Sequence, residues 1–116
     1  MALSRDQILG ATDFVFVELE VEEWGGTVRL RGLSASERDA FESSVGVAQD
    51  LTNLRSRLVV NCLVDDNGER LFKDSEAKLL GEKNANVINR LFDEVRNLSG
   101  MSDDEIGAAE GNSKTQ

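Results

Sequence analysis

Few residues in this 116-residue chain are of types suited to chemistry. Glu18, Glu20, Glu22 and Glu23 make a row of carboxylates. Alternate positions on a strand lie about 6.8 Å apart, at roughly 3.4 Å per residue, a spacing that some acid/base pairs use. Arg29 and Arg31 follow at matching intervals, so the row reads more simply as the solvated face of a strand. Asp65, Asn67 and Gly68 invite a calcium-loop reading. With Gly68 in the sixth position the first ligand would be Leu63 and the last Asp74, and a leucine offers no side-chain oxygen; an ordinary turn fits better. Cys62 has no second cysteine to bridge and no histidine to activate it, because the sequence contains none. The same zero removes Ser-His-Asp triads, imidazole bases and His-bearing zinc sites. Gly25-Gly26 leads into an alternating, strand-like stretch and not a helix, so it builds no phosphate cradle. No catalytic group, cofactor or metal is expected, and the chain reads as a non-enzyme.

Charge narrows the partners. Thirteen Lys+Arg against 22 Asp+Glu leave a net charge of -9. That balance argues against nucleic acid, whose phosphates are neutralised by Lys and Arg, and against anionic membrane surfaces. No apolar run approaches the roughly 20 residues of a membrane helix, and residues 1–6 lack a signal-peptide core. A reduced, intracellular setting is therefore expected. The length suits one domain of about 100–150 residues, and 40% hydrophobic residues supply a modest core. One α+β domain is expected over residues 1–106, followed by a flexible tail over 107–116.

The elements come from periodicity. Ser4 and Gln7 fit a capping box for a short helix to Ala11, with Ile8 and Leu9 as a small apolar patch. From Phe14 the period becomes two: Val15, Val17, Leu19 and Val21 alternate with Glu18, Glu20 and Glu22. Val28-Arg29-Leu30-Arg31 alternates again after Gly25-Gly26, which predicts a hairpin. A two-residue Gly-Gly loop would set Trp24 opposite Thr27, Glu22 opposite Arg29, Glu20 opposite Arg31 and Val21 opposite Leu30. Ser34 and Glu37 make a second capping box for a helix bearing Phe41, Val45 and Ala48, with Gly46 ending or bending it. The stripe Leu51, Leu54, Leu58 and Cys62 predicts a helix over residues 51–64. A turn at residues 65–68, a short extended piece at 69–72 and a helix from Asp74 to Leu80 follow. Ile88, Leu91, Val95 and Leu98, with Val87 and Phe92, mark a helix over residues 83–98 that stops at Ser99-Gly100. Ser102 to Glu105 fits one more capping box. The predicted architecture is an N-terminal antiparallel β-hairpin packed on three to four α-helices, with a disordered C-terminal tail.

The two long amphipathic helices offer more apolar stripe than one hairpin covers. They pack on each other, or part of the stripe serves self-association or a partner. Trp24 either folds over the turn or anchors a partner, a role in which Trp is enriched. Candidate partner-binding residues are Trp24, Phe41, Leu58, Leu91 and Phe92.

Residues 22–31 (EEWGGTVRLR) followed by 33–42 (LSASERDAFE) resemble the tail assembly chaperones of long-tailed bacteriophages. Residues 58–63, the 65–68 turn with Leu71-Phe72, Asn89-Arg90-Leu91-Phe92, Leu98-Ser99-Gly100-Met101 and the polar Gly111-Asn112-Ser113 extend the likeness over about residues 8–113. One departure is Val21-Glu22, where relatives often carry Pro. The resemblance implies a protein without chemistry that binds the tape measure protein, keeps that long helical molecule soluble and helps recruit tail tube protein. It further implies action in the host cell cytoplasm, absence from the mature virion, and often a longer frameshifted form. Two other functions fit the composition: a structural virion protein of head–tail connector type, and an acidic DNA-mimic inhibitor. Against the mimic, the acids are interleaved with Arg29, Arg31, Arg55, Arg57, Arg90 and Arg96.

Overall fold

The computed structural model describes residues 1–48 and 53–101. It is α+β, a three-stranded antiparallel sheet packed with helices. The order is α1 (Arg5–Gly10), β1 (Phe16–Val21), β2 (Gly26–Arg31), α2 (Ala35–Ala48), α3 (Leu54–Val59), β3 (Leu63–Val64), α4 (Ala77–Leu80) and α5 (Ala85–Leu98). Short 3-10 turns occupy Glu22–Trp24 and Asp74–Glu76. The expected tail at 107–116, the capping box at Ser102 and the first stripe residue, Leu51, lie outside the described residues.

The hairpin forms, but in a different register. Phe16 pairs with Arg31, Glu18 with Arg29, Glu20 with Thr27 and Val21 with Gly26. Residues 22–25 make the connection: the 3-10 turn is closed by Gly25, whose N–H donates to the Glu22 carbonyl at 3.0 Å and whose φ is +76°. A two-residue type I′ loop would need positive φ at both glycines; Gly26 instead has negative φ and enters β2. The coil turns the Trp24 ring off the charged face and onto the core. Glu23 is tied to Arg90 of α5 at 2.6 Å. The displacement is four residues, an even number, so the side chains of the two strands keep their expected faces.

The expected helix over residues 51–64 is corrected. The helix stops at Val59, and Leu63–Val64 forms a strand on the far edge of β2, with Leu30 opposite Leu63 and Arg29 opposite Val64. Helical stripes and buried strands look alike when every residue is covered, and the stretch from Leu58 to Val64 is buried except for Asn61. The strand holds a single β-branched residue, Val64, so composition gives little signal for it. Beyond it, Asp65 Oδ1 accepts from the N–H groups of Asn67 (2.8 Å) and Glu69 (3.0 Å), and Gly68 sits at φ +85°. This is the expected turn, and Arg70 then bridges back to Val64 as the short extended piece.

The core lies between the inner sheet face and the helices. Val21, Leu30, Leu58, Leu63, Val87, Leu91 and Val95 are all essentially inaccessible to solvent. The Asn84 side chain caps α5, accepting from Asn86 N–H at 2.8 Å. At the other end Gly100 (φ +71°) and Met101 close a Schellman motif, with Met101 N–H donating to the Arg96 carbonyl at 3.0 Å. The expected break at Gly46 does not occur, since α2 continues to Ala48. Gly32 is the position where only glycine fits: a Cβ there would stand 2.6 Å from the Leu98 carbonyl oxygen.

These two glycines predict opposite outcomes. Gly32→Ala drives α5 away from the end of β2 and lowers unfolding free energy by about 1–3 kcal/mol, as overpacking does. Gly46→Ala, in a helix with open space around it, raises it by about 0.5–1 kcal/mol. Urea denaturation of both variants checks the signs.

Candidate docking surface

Arg31 ends β2 and is only 9% exposed. A buried guanidinium must find acceptors for its N–H groups. Arg31 donates to both carboxylate oxygens of Glu37, at 3.2 and 3.1 Å, and to the carbonyls of Gly32 and Asn61, each at 3.1 Å. Glu37 is also the capping-box residue of α2: it accepts from Ser34 N–H at 2.8 Å, and its own N–H donates to Ser34 Oγ at 3.1 Å. One ion pair thus joins the central strand, the start of α2 and the turn between α3 and β3. Burial pushes the Glu37 carboxyl up, but the hydrogen bonds from Arg31 and the Ser34 N–H outweigh it and hold the group below the ordinary value of 4.5.

The same arginine positions the N-terminal segment. The Phe14 ring lies over the Arg31 guanidinium at 4.5 Å, and Phe16 over Arg29 at 4.2 Å. Arg29 also donates to the Asp66 carbonyl at 2.8 Å. These cation–π contacts fix where the N-terminal chain joins β1. Upstream of Phe16 nothing is buried. Helix α1 has the expected capping box, Ser4 Oγ accepting from Gln7 N–H at 3.2 Å and Gln7 Oε1 from Ser4 N–H at 2.9 Å. Its Ile8 and Leu9 nevertheless stand 57% and 67% exposed, with Leu3 and Val15 equally open. Where this arm meets the domain, a cleft of about 250 Å³ opens between residues 13–15, residues 32–35 and Leu98.

The residues singled out from the sequence fall elsewhere. Phe41, Leu58, Leu91 and Phe92 are core residues, and Trp24 is half-buried against the core. Direct contact of the first four with a partner would require the core to open. The open apolar side chains include Leu3, Ile8, Leu9, Phe14 and Val15, with Leu71 and Leu79 farther along the chain. Only the Ile8–Leu9 patch stands out in the sequence. A signal for Phe14 is present too, an aromatic in phase with Phe16, Glu18 and Glu20 on the charged side of β1.

Burial pushes the Cys62 thiol up to about 12, so it stays a protonated hydrophobe. Among the described residues, no three acidic or cysteine side chains converge to hold a metal ion.

Fold and surface together describe a small α+β domain with an uncovered apolar arm, held at its base by the Phe14–Arg31 cation–π contact. A comparison with protein families matches residues 7–114 to the phage tail assembly chaperone family, and the chain belongs to it. Among solved structures, the tail assembly chaperone of bacteriophage HK97 is similar in fold, with a TM-score of 0.63 at 23% identity, covering 84% of this chain and 95% of that one. No curated protein matches.

The ion pair makes acid stability predictable in sign. Because the Glu37 carboxyl is held below its ordinary value in the folded protein, its contribution is present above pH 4.5 and is lost as pH falls from there through the lower folded-state value. Glu37→Gln is expected to flatten the loss of thermal midpoint on acidification, read by circular dichroism. Arg31→Ala strands the half-buried carboxylate and costs about 3 kcal/mol at neutral pH, the low end for breaking a buried pair.

Proposed function

We propose that this chain is a non-enzymatic tail assembly chaperone that holds the tape measure protein and helps bring tail tube subunits to it, acting in the host cytoplasm and leaving before the virion is complete. The observation that carries this reading is the N-terminal arm. A six-residue helix with no buried side chain is marginal by itself in water. Its apolar residues make sense as a surface that a client covers, as an amphipathic helix is covered in a groove. The strongly acidic remainder keeps the free chaperone soluble while it waits for its client. Membership of the family supports a role in tail assembly; the client, the tube subunits and the cytoplasmic setting are what the sequence resemblance implies.

Co-expression with a tape measure protein tests it. The wild-type chain is expected to raise soluble tape measure, and Ile8→Glu/Leu9→Glu to weaken binding by about tenfold or more while leaving the thermal midpoint unchanged, since both side chains are exposed. Equal client solubility with and without the chain contradicts the proposal. Mass spectrometry of purified particles separates it from a structural connector: the chaperone is absent, a connector present.

A further inference from the structure

β1 is an edge strand, and its open side has the makings of a second docking site. Gly32 N–H donates to the Val15 carbonyl at 3.3 Å, which puts Val15 and Gly32 in a hydrogen-bonded pair of the β1–β2 ladder. Odd-numbered residues of β1 therefore turn their backbone groups toward β2. Phe16, Glu18 and Glu20 turn theirs outward, where no described strand lies. The opposite phase on β2 agrees, since Arg31 N–H donates to the Cys62 carbonyl on the β3 side at 2.9 Å.

The usual blocks to edge pairing are missing. The ladder runs from Phe16 to Val21 with no bulge, and the strand contains no proline or lysine. What guards it is charge. In an antiparallel pairing of β1 with β1 of another copy, Glu18 or Glu20 meets a glutamate or Phe16 in every register that keeps the aliphatic face together. A second copy is thus disfavoured, and so is any acidic segment. Inside the sheet, the position opposite Glu18 is filled by Arg29, and those opposite Val17 and Leu19 by Leu30 and Val28. The outer positions call for the same chemistry. Val17 and Leu19 remain only half-buried on the core side, leaving aliphatic surface for a neighbour to cover.

We propose that the outer edge of β1 accepts an extended segment of another protein in which Arg or Lys alternates with aliphatic residues, by strand addition. Backbone groups of Phe16, Glu18 and Glu20 supply the hydrogen bonds, and Glu18 and Glu20 select the basic side chains. This goes beyond helical client binding and does not depend on it.

The test uses the full ¹⁵N-labelled chain and a capped octapeptide alternating valine and arginine, at low salt. Expected are chemical-shift changes and slowed amide exchange at Phe16, Glu18 and Glu20, with α5 unmoved. Glu18→Gln/Glu20→Gln, at exposed positions, should keep the fold and weaken binding about tenfold, the loss of two cross-strand charge pairs. The same peptide N-methylated at alternate amides should not bind. Equal binding by the N-methylated peptide or by a valine–glutamate peptide overturns the proposal, as does no binding or shifts confined to another surface.

Discussion

Arg31 is a charge placed on the central strand and shut away from water, and the molecule is organised around satisfying it. Desolvating a guanidinium costs several kcal/mol unless acceptors surround it. Here a bidentate carboxylate and two carbonyls do so. Each acceptor comes from a different place: the start of α2, the bend after β2, and the turn into β3. The pair therefore dictates where three elements meet. The Phe14 ring closes the outer side of the same guanidinium, so the point from which the N-terminal arm departs is set by the same charge.

That arrangement divides the molecule into a closed part and an open part. Sheet, α3, α4 and α5 bury their apolar stripes against one another, and the two amphipathic faces that could have served a partner are consumed by the core. The arm and the outer edge of β1 are left over. They differ in kind: one offers apolar side chains, the other backbone groups framed by glutamates. The two chemistries would select different segments: the first an apolar surface, the second an extended strand with basic side chains.

Much of this is readable from residue order, and the misses have physical causes. The capping boxes at Ser4 and Ser34, the Asp65 turn and the Gly100 stop depend on local geometry, and they occur where local signals put them. The hairpin is visible in the alternation, but its register is not. Placing Trp24 on the core outweighs a tight Gly-Gly loop, and that choice rests on core side chains and on the Glu23–Arg90 pair, far away in sequence. Residues 58–64 mislead for a different reason: a helix end, a turn and a two-residue strand, nearly all buried, show no polar side to betray a change of period. The candidate partner-binding residues are hardest. Apolar stripes at helical spacing point to a core as readily as to a partner, so Phe41, Leu58, Leu91 and Phe92 look available until the fold encloses them.

On the proposed function, the closed core is a mount and the exposed apolar N-terminal region is the surface that the client covers. Hydrogen–deuterium exchange of the full chain, alone and saturated with tape measure protein, tests this most directly. The expected result is slow exchange in β2 and α5 in both states, with fast exchange over residues 1–15 in the free chain that becomes slow when the client binds. New protection confined to α3 or α5, with residues 1–15 unchanged, would contradict it.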